Sequence, residues 1–233
     1  MNMKKILYSL MLLTSIISLV SCGSDELTDS RITQYVTITL KGGQIYTLPV
    51  GTTYQDPGFS ATQGTTDVTS SVKVDGTADG SKVGYYPVTY SATNPDGFSS
   101  SVTRMVFVYN PKITTDLSGS YKIQSGSYRD YQGTVTKFSG QVVTLSQVAS
   151  GVFSISDWLG GYYDQLKGYG SSYAMPGYMG LGADNTFSGL YGHVSAWGDS
   201  YDSVSGSYDP ATGTVTLDVA YAGKMTFHLI LNK

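Results

Sequence analysis

The sequence is short of the side chains on which most exported enzymes and disulfide-stapled proteins depend. It has one cysteine, Cys22, two histidines, His193 and His228, and a single glutamate, Glu26. Charged residues make up only 13% of the chain and the net charge is −3. With one thiol, no internal disulfide can form, and the fold must rest on apolar cores. The histidines and the cysteine lack the spacing of a zinc site. Asp199-Ser200-Tyr201-Asp202 offers two carboxylates, fewer ligands than a calcium loop needs. Glycoside cleavage ordinarily takes two carboxylates flanking the bond, and no recognisable motif pairs the aspartates here. There is no Gly-Lys phosphate cradle. No basic stripe favours nucleic acid. The chain reads as non-catalytic, with no cofactor and no metal.

What the sequence does contain is glycine, 28 residues, and tyrosine, 20 residues. Thr, Ser and Val are abundant and good helix formers are scarce, which predicts an all-β protein. At the amino end, Lys4 and Lys5 precede an apolar run over 6–20, the pattern of a secretory leader. The run is too short to predict a transmembrane helix. Residues 23–33 are polar and aperiodic and read as a flexible tether with a reach of roughly 20 Å.

Leu19-Val20-Ser21-Cys22 closes the leader and resembles a bacterial lipobox. That resemblance implies removal of residues 1–21 and lipid attachment at Cys22, leaving 22–33 as a lipidated tether. Two or three acyl chains, each buried methylene contributing roughly 0.8 kcal/mol, would make the anchor durable. Ser24-Asp25-Glu26 resembles the acidic export signal of Bacteroides-type surface lipoproteins. It implies a protein held in the outer membrane and facing outward.

Residues 34–110 carry strand alternation. Val36, Ile38 and Leu40 share one face, as do Tyr86, Val88, Tyr90 and Ala92. Asn94-Pro95-Asp96-Gly97 marks a tight turn before a returning strand over 102–109. Shorter strands at 45–48 and 72–74 suggest a sandwich. The string Gly51-Thr52-Thr53-Tyr54-Gln55-Asp56-Pro57-Gly58-Phe59-Ser60-Ala61, followed by the stretch 84–92 and by Val102-Thr103-Arg104, resembles the bacterial Ig-like domain of Bacteroides surface lipoproteins. It implies a seven-stranded spacer. On the last strand both faces are apolar, and Phe107 and Tyr109 are expected to pack against the next unit. Arg104 falls on the inward parity and is expected at a rim or a bulge.

Residues 111–233 predict strands at 119–125, 133–138, 141–148, 151–156, 187–191, 204–208, 214–221 and 224–231. Eight antiparallel strands in succession fit a barrel or half-barrel, similar to lipocalin-like domains, with a second sandwich as the alternative. Gly-Val-Phe-x-Ile-x-Asp-x-x-Gly-Gly-Tyr-Tyr at 151–163 resembles the carboxy-terminal domain that accompanies this Ig-like module in Bacteroides lipoproteins. The fold class expected is therefore an Ig-like β-sandwich followed by an antiparallel β-barrel-like domain.

Between Asp157 and Tyr201 the chain is dense in rings and glycines and holds both tryptophans. The strand period vanishes from Gly160 to Gly177, and long structureless loops in compact domains are usually functional. A pyranose presents an apolar face that a flat ring covers and a belt of hydroxyls that carboxylates and phenols bond. The candidate ligand-binding residues are Trp158, Tyr162, Tyr163, Trp197 and Tyr201, with Asp157, Asp164 and Asp199 as hydrogen-bonding partners. The expected partners are the membrane through the anchor, a glycan, and other surface proteins of a polysaccharide uptake system. Two other readings compete: a structural or adhesive protein with a flat apolar patch, and a calycin-like carrier with an enclosed apolar hollow. Packing of the same rings over a barrel end is the alternative to any site.

Overall fold

The computed structural model describes residues 32–233. The leader, Cys22 and most of the tether lie outside the described residues. The protein is all-β. The first unit comprises β1 (Val36–Leu40), β2 (Ile45–Pro49), β3 (Phe59–Gln63), β4 (Thr66–Asp67), β5 (Lys73–Asp75), β6 (Gly84–Thr93) and β7 (Ser99–Tyr109). One sheet runs β1-β3-β4 and the other β2-β7-β6-β5. All pairings are antiparallel except β2 with β7, which is parallel. Alternate residues of β6 and β7 (Val88, Tyr90, Val106 and Val108) are buried between the sheets with Leu48. The sequence pattern missed β3 and β4, whose Ser, Thr, Gln and Asp residues carry little apolar alternation.

Arg104 is not at a rim. Its side chain is fully buried. Its Nη1 donates to the carbonyls of Lys41 (2.8 Å) and Gly43 (3.0 Å), and Nη2 donates to that of Gly58 (2.9 Å). Nε donates to the Tyr90 hydroxyl at 3.2 Å, and Nη2 lies 3.5 Å from the Asp56 carboxylate. Tyr90 donates its hydroxyl to the same carboxylate. Asp56 also accepts the Gly58 N–H at 2.8 Å, which shapes the turn. The Asp56-Pro57-Gly58 signature and Arg104 are thus one device. A buried charge is tolerable only when paired and fully hydrogen-bonded, and here it joins the two loops that cross between the sheets, before β2 and before β3, to β6 and β7.

The second unit comprises β8 (Gly119–Ile123), β9 (Tyr128–Tyr131), β10 (Thr134–Lys137), β11 (Val142–Ala149), β12 (Val152–Ile155), β13 (Gly177–Leu181), β14 (Thr186–Gly192), β15 (Tyr201–Asp209), β16 (Thr214–Tyr221) and β17 (Met225–Asn232). β8 pairs with β11, the strands β11 to β17 follow in order, and β17 returns to pair with β8. The result is a closed eight-stranded antiparallel barrel, which settles barrel against half-barrel and sandwich. The β9-β10 hairpin is not part of the wall: β9 pairs with Met225–His228 of β17, beside the point where β8 takes over at Leu231. The sequence reading counted β10 as a wall strand and overlooked β13, so its total of eight was reached with one wrong member.

The two units meet through aromatic rings. Phe107 is fully buried and packs 4.8 Å from Tyr178, and Tyr85 lies 5.9 Å from Tyr191. The outward face of β7 therefore serves the contact expected for Phe107, while Tyr109 is half-buried.

Arg104→Met should destabilise the sandwich by about 3–5 kcal/mol, because it strands the Asp56 carboxylate and three carbonyls. Hydrogen exchange across a urea series checks this. Protection should drop in β6 and β7 and be retained in β16 and β17.

Candidate functional site

An eight-stranded barrel is just wide enough for its own side chains to fill. Here the filling includes a chain segment. Between β12 and β13, residues 156–176 cross one mouth, and Asp157 holds them in place. Its carboxylate is 1% exposed and accepts the N–H groups of Leu159 (2.9 Å), Gly161 (2.8 Å) and Met175 (2.9 Å). Trp158 N donates to the Met175 carbonyl at 2.9 Å, so the two ends of the crossing are tied together. A single π-helical turn, Tyr162–Leu166, follows. Turns of this type are concentrated at functional sites. Gln165 then bonds both backbone groups of Val142, donating at 2.8 Å and accepting at 2.9 Å.

The sequence candidates separate into two groups. Trp158 and Tyr162 are 0% and 2% exposed. They are core, not platforms, and this corrects the expectation that they face a ligand. The Trp158 indole donates to the Tyr191 carbonyl at 3.0 Å and stands edge-on to Tyr201, at 5.6 Å. It fits because Gly177 and Gly192 lie against it: a Cβ on Gly177 would fall 2.3 Å from the indole nitrogen. Tyr201 is half-buried and occupies the space left by Gly189 and Gly192, where an added Cβ would come within 2.6 Å and 2.8 Å of it. Asp157 is likewise an internal anchor and not a solvent-facing hydrogen-bond partner. These residues are buried for the reason that a barrel mouth open to water would expose its apolar lining.

The second group assembles at the surface of the same mouth. The turn between β14 and β15 is closed by Val194 N to the Asp199 carbonyl and Gly198 N to the Val194 carbonyl, both at 2.8 Å. Ala196 N donates to the Ser172 carbonyl at 2.9 Å and joins this turn to the crossing segment. Trp197 is thereby set 4.9 Å from Tyr163 and 5.1 Å from Tyr173, at interplanar angles of 88° and 76°. Tyr169 lies 6.0 Å from Tyr163 at 28° and 5.4 Å from Tyr173 at 70°. The rings form a corner, with two orientations near a right angle, and not the coplanar row a sugar groove suggests. Trp197 and Tyr169 remain 42% and 55% exposed. Tyr169 and Tyr173 were not among the sequence candidates. Their place in the same ring-rich stretch was the available signal.

Polar groups border the corner. Asp199 accepts the Tyr221 hydroxyl with both oxygens, at 2.9 and 3.0 Å. Burial, with Asp199 beside it, holds the Tyr221 phenol well above its ordinary range, so it stays a donor. Asp164 is half-buried in the π-helical turn, and its Oδ1 is enclosed without a hydrogen-bond partner. The Arg129 guanidinium sits over the rings of Tyr131 (5.0 Å) and Tyr162 (5.3 Å). Among the described residues no three His, Cys, Asp or Glu side chains are grouped as a metal site would require.

The fold and this mouth define a class: an Ig-like sandwich joined to a closed antiparallel barrel. Residues 38–108 match the family model described as bacterial surface protein, Ig-like domain, and residues 110–233 match a family model of a C-terminal domain. The chain is 40% identical to the lipoprotein BT2262 from Bacteroides thetaiotaomicron, over 85% of this chain and 100% of that one, with a TM-score of 0.49. It therefore belongs to the family of Bacteroides-type surface lipoproteins that carry a bacterial Ig-like domain and this barrel-like carboxy-terminal domain. No curated protein matches it. Two structures of Clostridium perfringens ZmpB fragments align far more weakly. One holds its M60 catalytic domain with CBM51-1 and CBM51-2, at 18% identity and a TM-score of 0.29, over 53% of this chain and 14% of that one. The other holds CBM51-2 in complex with GlcNAc, at 13% and 0.27, over 84% and 43%. At those scores neither bears on the fold or the ligand.

Asp157 gives the mouth a pH signature. Burial pushes its carboxyl up to about 6, against the pull of the three N–H donors and with a further push from Asp164. An unfolded aspartate titrates near about 3.9. The folded state thus keeps its proton to higher pH than the unfolded chain. The resulting stability is full below about pH 4 and is lost as pH rises through about 6. Urea unfolding across this window should show that decline, and Asp157→Asn should remove it. At neutral pH, Asp157→Ala should cost about 3 kcal/mol or more, since each orphaned buried donor costs about 1–3 kcal/mol.

Proposed function

We propose that this chain is a non-catalytic surface lipoprotein, anchored through Cys22 to the outer membrane and facing outward, whose barrel mouth binds carbohydrate for a polysaccharide uptake system. The observation that carries the reading is the half-exposure of the Trp197 and Tyr169 rings on a base that is otherwise locked by hydrogen bonds and packing. A binding ring must be presented to solvent and held rigid, and both conditions are met at these positions. Tyr163 and Tyr173 fix the orientation of the platforms. Asp199, exposed at the rim, supplies an acceptor for sugar hydroxyls, while the enclosed Oδ1 of Asp164 is shut off from a ligand.

The corner geometry favours a short contact, one sugar ring on each platform, over a long groove. Millimolar to micromolar affinity corresponds to about 4–8 kcal/mol, of which two platforms at about 1 kcal/mol each beyond solvation would supply a part and hydrogen bonds at the rim the rest. That range suits capture followed by hand-over to another surface protein of the system. The carrier reading loses its basis, because Trp158, Phe153, Tyr221, Phe227 and their neighbours fill the barrel interior. A protein partner at the same corner is the second reading. The exposed rings favour it as much as they favour a glycan, and affinity for soluble sugars separates the two.

The test is a glycan array followed by affinity electrophoresis on the form lacking residues 1–22. Trp197→Ala and Tyr169→Ala should each weaken glycan retention about tenfold, the equivalent of about 1.4 kcal/mol, with the melting temperature little changed. Trp158→Ala should instead lower the melting temperature. Retention on no glycan by the wild-type form would overturn the reading.

A further inference from the structure

The end of the sandwich where the chain enters carries a second exposed aromatic pair. Tyr35 and Phe98 lie 5.4 Å apart and are 57% and 48% exposed. Ile32, three residues before Tyr35, is 83% exposed. Isolated surface hydrophobes are ordinary. These are grouped, and the backbone beneath them is fixed. The Gln34 carbonyl accepts from Asn94 Nδ2 at 3.0 Å and from Gln63 Nε2 at 3.2 Å. Asn94 Oδ1 accepts the Phe98 N–H at 2.8 Å, so the turn that bears Phe98 is held rigid.

Position gives the pair its meaning. β7 runs 11 residues from this turn to the linker, about 35 Å at the usual rise of a strand. The pair therefore lies at the far end of the sandwich from the barrel and beside the tether. Nine residues, 23–31, separate Cys22 from Ile32, a separation that covalent geometry limits to roughly 36 Å at most. A lipid at Cys22 would hold this tip within reach of the bilayer surface at high effective concentration. Residues 32–36, 63–66 and 93–99 include no lysine or arginine, and Arg31, the cation next to them in sequence, has Asp29 two residues away, so the tip itself offers no net attraction to anionic headgroups. A tyrosine beside an apolar ring suits the lipid–water interface, which takes the ring and leaves the hydroxyl wet.

We infer that Tyr35 and Phe98, with Ile32, seat in the interface of the membrane that holds the anchor, and so set the sandwich upright on it. The inference rests on the anchored reading of Cys22, not on the carbohydrate reading.

The experiment uses the intact lipoprotein carrying Phe98→Trp and Trp197→Phe. It is reconstituted in vesicles of phosphatidylethanolamine and phosphatidylglycerol with acyl chains brominated near the headgroup. Trp158 is buried in the barrel and serves as the internal background. Emission from the introduced indole should be blue-shifted and quenched about twofold or more relative to Trp197→Phe alone, equally at low and high salt. No added quenching in the intact lipoprotein overturns the inference as stated for an anchor at Cys22. A blue shift that persists without vesicles also overturns it, since another protein copy then covers the ring. A second form replaces residues 1–22 by a hexahistidine and is tethered to the same vesicles through a nickel-chelating lipid. Quenching in this form alone upholds the tip and removes Cys22 as the anchor. Quenching in neither form overturns the tip itself.

Discussion

The protein depends on filling an eight-stranded barrel without a disulfide and without a long helix. Closure removes the sheet edges but leaves two mouths through which water could reach the lining. At one mouth the solution is a segment of chain laid across it and tied down by one carboxylate. Asp157 satisfies three backbone donors that would otherwise be buried without partners. Trp158 and Tyr162 then enter the core beside it. Everything exposed at that mouth, including Trp197 and Tyr169, stands on this plug. The surface proposed to bind is the outer face of a packing device.

The sandwich rests on a different balance. Its core is small, and one end of it is a buried guanidinium with five hydrogen-bond donors to satisfy. The carbonyls of two turns, one phenol and one carboxylate supply the partners. This arrangement fixes the turns more than it adds stability, because desolvating the ions offsets most of their attraction. The opposite face of the same strand, β7, carries Phe107 into the barrel contact. One strand thus organises its own unit through Arg104 and orients the next through Phe107.

Long alternating strands were legible in the sequence. β6, β16 and β17 show clean period-two patterns, and the Ala222-Gly223 hairpin lies where the pattern breaks. β13 was not legible. Gly177, Gly180 and the neighbouring Pro176 read as loop, and only pairing with β12 and β14 makes 177–181 a strand. Short β3 and β4 were hidden for a related reason: β3 turns only Phe59 and Ala61 to the core and β4 turns no apolar side chain, too little for a pattern. The location of the ring-rich mouth could be read, but not which rings face water. Burial of Trp158 depends on β13 and β14 passing behind it, and no local pattern encodes that.

The glycines supply what the rings alone withhold. Gly177, Gly189 and Gly192 are packed against Trp158 or Tyr201, with space for no Cβ. Their backbone is not left-handed, so their role is room for a ring. Gly168, Gly170 and Gly198 have nothing near the Cβ position and φ values of 69°, 96° and 71°. Their role is to turn the chain, and the rings beside them, Tyr169 and Trp197, are the exposed ones. At this mouth Trp158 and Tyr201 are paired with space-making glycines and lie inward, while Tyr169 and Trp197 sit beside turn-making glycines and lie outward. The two kinds are identical as letters in the sequence and differ only in backbone angle. That is why a stretch of tyrosine and glycine reads equally as a site and as a plug.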